Sequence, residues 1–185
     1  MLNTKRCTLR PMESKDLHAI HKLHILEEVD QYNTLGIPES IHTTARILSK
    51  WIENMNAQIF YGFVIEDKVT NEYIGIIGLQ LGNLKYSRGE VWYKLMPEQW
   101  NKGFGTEVTK EIVKFGFKEL KLHRIEAGCA CDNLSSIRVL EKSGFLREGK
   151  KRKVLPLKSG WSDGFDYAIL HEDWIKNVDS TEAKE

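Results

Sequence analysis

At 185 residues the chain suits one domain with a single substantial core, and its 41% hydrophobic and 29% charged content is ordinary for a globular protein. A net charge of +1 argues against a generally basic nucleic-acid binder, so direct nucleic-acid binding is not expected. The first five residues lead into no apolar signal segment, no apolar run reaches the roughly 18 residues of a membrane span, and three cysteines without a C-x-x-C pair suit a reducing compartment. The chain therefore reads as cytoplasmic, with no membrane association. No repeat or low-complexity segment divides it; a single domain is expected over 1–177, with 178–185 as a flexible tail.

Residues 6–10 alternate and predict a short first strand, stopped by Pro11. Ser14 as N-cap, with Asp16 in the first turn, predicts a helix carrying Leu17, Ile20 and Leu23 as far as about Asp30. After a loop over 31–38, Ile41, Ala45, Leu48, Trp51 and Ile52 fall on one side of a second helix. His18, His21, His24 and His42 lie on these helices at irregular spacing, without a carboxylate or thiol set to hold a metal; no metal is expected. Residues 58–66 and 72–81 are apolar runs joined by 67–71, a hairpin. Their apolar residues are continuous rather than alternating, which predicts strands covered on both faces, with Gly75 and Gly78 marking a bulge or a close backbone approach.

Residues 88–95 predict another strand, followed by Pro97-Glu98-Gln99-Trp100-Asn101-Lys102-Gly103-Phe104-Gly105-Thr106-Glu107. Beyond it Val108, Ile112, Val113, Phe115, Gly116 and Leu120 recur at helical spacing, so a helix is expected from about Asn101 to Lys121. Gly103 and Gly105 thus open a helix, where backbone N–H groups are unpaired and the macrodipole adds roughly half a positive charge. Without Cβ atoms, they let a bulky anion such as a diphosphate approach those groups. A Walker loop is absent. A dinucleotide fingerprint would need a third glycine where Val108 stands.

Residues 124–129 predict a strand, parallel or nearly so to 88–95 because strand, helix and strand form a right-handed crossover. Asn133 then caps a short helix whose Ile137, Leu140 and Phe145 can pack inward, with Gly144 at a left-handed stop. The end is a ribbon of 145–155 and 161–170 around a loop at 156–160. Its basic run (Arg147, Lys150, Lys151, Arg152, Lys153) reads as a solvated face, and its apolar Leu155 and Trp161 offer a possible homodimer contact.

The stretch at 97–107 resembles the pyrophosphate loop of the GNAT superfamily of acetyl-CoA-dependent N-acetyltransferases, Arg/Gln-x-x-Gly-x-Gly/Ala before a long helix. Asn133-x-x-Ser136 followed by Glu141-Lys142-x-Gly144-Phe145 resembles the distal motif of the same superfamily, in the expected order and spacing. Trp100 in the Arg/Gln place, with Gly-x-x-Thr-Glu over 103–107, looks most like the ribosomal-protein N-terminal acetyltransferase branch. The resemblance spans about 6–174. It implies an α/β fold with a mixed, mostly antiparallel sheet of about seven strands, splayed between the fourth and fifth and flanked by helices. It implies acetyl-CoA as cosubstrate, with pantetheine bonded to the backbone of Leu95 and Met96 and faced by Asn133. The pyrophosphate would lie on the segment Trp100, Asn101, Lys102, Gly103, Phe104, Gly105 and Thr106.

Acetyl transfer to an amine needs a polarised thioester, a neutral amine and a stabilised thiolate, but no covalent intermediate. Cys7, Cys129 and Cys131 are accordingly read as small buried hydrophobes. By the resemblance Glu90 corresponds to a general base of some members, with Glu126 and Asp163 as further candidates. Many relatives protonate the thiolate with a tyrosine where this chain has Leu140, so Ser136 is the expected donor, as in the ribosomal-protein branch. Tyr32, Trp51 and Trp92 could line the acceptor groove. The implied acceptor is a protein or peptide N-terminus. The alternatives are a small amine (polyamine, amino acid or aminoglycoside) or a non-catalytic acyl-CoA-binding module.

Overall fold

The computed structural model describes residues 1–182. The chain opens with a two-residue strand, Leu2–Asn3 (β1), which pairs antiparallel with Cys7–Pro11 (β2). A 3-10 turn over Ser14–Asp16 follows, so Ser14 is not the cap of an α-helix. The Asp16 carboxylate accepts from the Glu13 amide at 2.8 Å and from the Arg10 guanidinium at 2.7 Å, which tightens this turn, and the α-helix begins at Leu17. The single helix expected to run on to Asp30 is divided into Leu17–His24 (α1) and Glu27–Asp30 (α2). Leu26 is extended between them (ψ 123°), and the break lets Leu26 and Val29 turn onto the core. Ile41–Asn56 (α3) is capped by the Ser40 hydroxyl, which accepts from the Thr43 amide at 3.3 Å.

Phe60–Asp67 (β3) and Tyr73–Leu81 (β4) form the expected hairpin, and the register slips at Ile65/Glu66, opposite Gly75. Arg88–Leu95 (β5) pairs with β4, then Phe104–Lys118 (α4) crosses to Arg124–Ala130 (β6). The expected helix over 101–121 is shorter because Asn101 (φ 58°) and Gly103 (φ 84°) are left-handed, and so is Lys121 (φ 53°) beyond its end. Leu134–Lys142 (α5) is capped as expected by Asn133 and stops at Gly144 (φ 91°). The ribbon strands Leu146–Leu157 (β7) and Gly160–Leu170 (β8) reach further than the sequence suggested, leaving only Lys158 and Ser159 between them. His171–Glu182 (α6) carries helix past Asn177, where a tail was expected; residues 183–185 lie outside the described residues.

Among the described residues the eight strands form one sheet in the order β1-β2-β3-β4-β5-β6-β8-β7, antiparallel throughout except at β5–β6. The extra strand over the expected seven is β1, whose two residues carry no readable alternation. Two cores lie on the two faces. On one, Val108, Ile112 and Phe117 of α4 pack with Ile65, Ile77, Leu79, Ile125 and Tyr167. On the other, Ile20 and Leu23 of α1 and Leu48 of α3 pack with Val64, Ile76 and Met96. Coverage on both faces is why β3 and β4 read as continuous apolar runs. Among the described residues no helix is long and apolar enough to cross a membrane.

Candidate active site

The site is built on a fork in the sheet. β5 and β6 pair only from Arg88↔Arg124 to Glu90↔Glu126; beyond that rung β5 continues to Leu95 and β6 to Ala130 without pairing. The Met96 amide donates to the Ile74 carbonyl at 2.9 Å, on the β4 side. By strand alternation Val91, Tyr93 and Leu95 therefore turn their backbone groups into the gap. Met96 does not share that freedom, since its carbonyl also accepts from the Gln99 amide at 2.9 Å. The Leu95 carbonyl accepts from the Trp100 indole at 2.9 Å. Of the two residues expected to bond a pantetheine arm, Leu95 faces the gap and Met96 faces away from it.

At the open end of the fork lies the loop 100–106. The first amide of α4 to find an intrahelical acceptor is Glu107, bonded to the Gly103 carbonyl at 3.1 Å. The amides of Phe104, Gly105 and Thr106 precede it and point out of the helix start, which favours an anion. Gly103 caps this start in a left-handed conformation, and a Cβ there would meet only the Arg6 Nη2 atom, at 3.4 Å. Gly105 has a different reason to lack a side chain. It is buried, and its Cβ would meet Val139 at 3.2 Å, Leu95 at 3.6 Å and Tyr93 at 3.7 Å, so it serves close packing of α4 on α5 and β5. Asn101 and Lys102 are exposed, with the Lys102 ammonium donating to Gln99 at 3.3 Å. Trp100 stays 40% exposed while its indole ties the loop to β5. A left-handed open turn, free helix-start amides and a parted strand pair together fit a diphosphate joined to an extended, hydrogen-bonding arm.

The first turn of α5 faces the same gap. Asn133 accepts the Ser136 amide at 3.0 Å, so its side chain is engaged as the helix cap. The Ser136 hydroxyl accepts from the Tyr93 hydroxyl at 3.4 Å and is also hydrogen-bonded to the Cys129 thiol. Tyr93 escaped the sequence reading because it looks like any aromatic strand residue; its alternation with Val91 and Leu95 was the available signal. Leu140, at the position of the relatives' tyrosine, is buried in the core. Burial pushes the thiols of Cys7 and Cys129 up to about 11, which keeps both protonated at neutral pH.

On the face of β5 turned to α1 and α3 stand Glu90, Trp92 and Lys94. Trp92 stacks on Phe60 (5.9 Å) and packs against Trp51 (5.2 Å), so both tryptophans build the floor of this face. Glu90 occupies the last rung before the fork. Although the residue is exposed, its carboxyl is raised from its ordinary value, chiefly by desolvation against the sheet and then by Glu126, and it has no hydrogen bond or ion pair to any described residue. The rival carboxylates are engaged. Glu126 is held by Arg124 at 2.8 Å and Arg88 at 3.4 Å, and Asp163 by Lys150 at 2.9 Å and the Lys153 amide at 2.9 Å. Asp163 is accordingly held below the usual range. Of these three candidates Glu90 is the one without an ion pair among the described residues.

Further along this face the Lys94 ammonium is buried without a hydrogen-bond partner, and burial draws its pKa down to about 8. His24, 1% exposed, has both ring nitrogens unpaired; burial and then Lys94 push it down to about 3. Asp30, 4% exposed, lies near Lys94 and lines a cavity of about 360 Å³ with Asn33, Ile37 and ribbon residues Pro156, Leu157 and Lys158. The ribbon tip is tied over this cavity by Lys158 and Glu27 at 3.1 Å. Tyr32 is half-buried and bonded to Gln31 at 3.3 Å. On the ribbon Trp161 is 62% exposed, whereas Leu155 is half-buried. Among the described residues no group of three or more His, Cys, Asp or Glu could hold a metal ion.

Residues 6–146 match the family described as an acetyltransferase (GNAT) domain. Over 175 residues the chain is 33% identical to an uncharacterised N-acetyltransferase of Bacillus subtilis (strain 168), YnaD, covering 94% of this chain and 98% of that protein. It is 27% identical to the spermidine N(1)-acetyltransferase of Escherichia coli (strain K12), over 90% of this chain and 87% of that one. Among solved structures it is similar to a GNAT-family acetyltransferase from Bacillus anthracis, with a TM-score of 0.81 and 33% identity over 92% and 98% of the two chains. It also shares the fold of the ribosomal-protein-S5-alanine acetyltransferase from Vibrio fischeri, with a TM-score of 0.81 and 23% identity over 93% and 97%.

Proposed function

This chain belongs to the GNAT family of N-acetyltransferases, and from that premise we propose that it moves acetyl from acetyl-CoA directly to the amine of a protein or peptide N-terminus. The amides of Phe104, Gly105 and Thr106 take the diphosphate, and the β5 backbone within the fork takes the pantetheine arm. The amine nitrogen bonds to the thioester carbonyl carbon as the carbon–sulfur bond breaks. Glu90 takes the amine proton, and Ser136, backed by Tyr93, donates to the departing sulfur. No enzyme thiol takes part.

Lys94 carries the choice of acceptor. Its ammonium is mostly charged at neutral pH, lacks a partner, and shares a face with Glu90. Its Nζ is buried, so it acts on the acceptor through its charge: a polyamine entering there meets a like charge along its length, whereas a peptide N-terminus brings a single amine. The second reading, a small cationic amine, is favoured by the buried Asp30 carboxylate in the adjoining cavity and by the spermidine-acetylating relative. Acetyl-CoA consumption across N-terminal peptides, spermidine, amino acids and aminoglycosides separates them. We expect peptides to exceed spermidine at least about tenfold in kcat/KM, a difference of about 1.4 kcal/mol, and Lys94→Met to narrow that gap. Spermidine as the best acceptor, unaffected by Lys94→Met, would reverse the choice.

A further inference from the structure

The loop that opens α4 carries one cation of its own, the exposed Lys102, whose ammonium turns to the neutral Gln99 side chain, and Trp100 stands where the family motif has Arg or Gln. A second cation comes from far away in sequence. Arg6, just before β2, donates from its backbone amide and its Nε to the two Glu107 carboxylate oxygens, each at 2.7 Å. Its Nη1 donates to the Lys102 carbonyl at 3.0 Å, and its guanidinium lies over the Phe104 ring, 4.2 Å from the centroid. The Thr4 hydroxyl completes the clasp, donating to Glu107 at 2.6 Å. Nη2 has no partner among the described residues and sits beside the open face of Gly103, 3.4 Å from where a Cβ would stand.

We propose that Arg6 is the phosphate-facing cation of this site. It cancels the Glu107 carboxylate in the first turn of α4 and presents its free N–H groups to the diphosphate. The inference rests on the reading that loop 100–106 receives the phosphates of acetyl-CoA. A carboxylate one turn into the helix would by itself repel a diphosphate. Although burial pushes Glu107 up, Thr4 and the Arg6 amide and guanidinium hold it low, so it is ionised whenever the donor binds. Losing Arg6 therefore does two things at once: it removes a cation, and it uncovers an anion.

The test compares two donors, acetyl-CoA and S-acetylpantetheine, which lacks every phosphate. Arg6→Met should raise the acetyl-CoA KM at least about tenfold, about 1.4 kcal/mol, and leave kcat/KM with S-acetylpantetheine unchanged. The double variant Arg6→Met/Glu107→Gln should bind acetyl-CoA more tightly than Arg6→Met alone, because the uncovered anion is gone. Should Arg6→Met not fold, Arg6→Lys keeps the charge without the fork and should lose acetyl-CoA affinity by a smaller factor, again sparing S-acetylpantetheine. Equal losses on both donors would make Arg6 a scaffold residue and overturn the proposal, as would a folded Arg6→Met with normal acetyl-CoA kinetics. If the unaltered protein uses both donors equally well, the loop reading itself fails, an outcome distinct from any failure of Arg6.

Discussion

Glu90→Gln lowers turnover by about 100- to 10,000-fold near neutral pH, the usual worth of a general base. An α-amine has a pKa near 8, so only a minority is uncharged at neutral pH and a base must help the rest. Glu90 acts only when deprotonated. Its raised pKa moves the acid limb of the rate profile upward from that of an ordinary glutamate. Turnover should fall as pH drops through that limb, and Glu90→Gln should abolish it while recovering part of the rate at high pH, where the amine loses its proton unaided. Ser136→Ala should give a smaller loss that high pH does not restore, since the coenzyme A thiol is acidic enough for its thiolate to leave without full protonation. Near-normal rates across pH for Glu90→Gln would move the base to Glu126 or an ordered water, and Glu126 would first have to leave Arg124 and Arg88. If both variants are normal, positioning of the amine carries the catalysis.

Gly105→Val damages both stability and donor binding. From the sequence alone it would be a steric plug in a fold that otherwise persists. The structure changes that expectation, because a side chain at 105 points into the junction of α4 with Val139, Leu95 and Tyr93. Overpacking of this kind costs about 1–3 kcal/mol. Relief by displacing α5 would carry Asn133 and Ser136 with it, and relief by displacing β5 would alter the fork. Calorimetry should record an acetyl-CoA affinity reduced at least about tenfold, together with a lower unfolding midpoint. Gly103→Ala is the cleaner probe of the loop. It meets only the flexible Arg6 Nη2, at 3.4 Å, but must hold a left-handed conformation, a strain of order 1–3 kcal/mol, and Gly103→Asn should be milder. Unchanged affinity in a folded Gly105→Val protein would place the donor elsewhere.

What was legible in the sequence was local. The glycine-opened helix, the Asn133 cap, the Gly144 stop and the doubly covered hairpin each write their cause within a few neighbouring residues. The interruption of the first helix is hidden because it depends on Leu26 and Val29 reaching the core, and its late start because it depends on Arg10 of β2 meeting Asp16. The packing reason for Gly105 is hidden in the sequence for a related cause: loop and packing glycines look alike until Val139 is known to be opposite. Met96 and Leu95 are neighbours in sequence, yet strand alternation turns their backbone groups to opposite sides. Arg6 and Glu107, 101 positions apart, carry no signal of each other at all. Lys94 read as one polar residue in a strand, and only folding exposes it as an ammonium without a partner.

The fork also has a bearing on how this protein survives without its donor. Beyond Glu90 and Glu126, two strands present unpaired backbone groups in the middle of a sheet, an interior equivalent of the exposed edge that templates strand addition and aggregation. A pantetheine arm bonded along β5 would occupy that edge much as an added strand does. The ligand-free chain should thus be the aggregation-prone form on heating or long storage. Donor at about 100 times its Kd would stabilise the fold by about 2.7 kcal/mol, or about 5–10 °C in Tm for a chain of this size. In a cell, the acetyl-CoA pool would then act as a folding partner of the protein as well as its reagent, and its depletion would be felt first as loss of the enzyme.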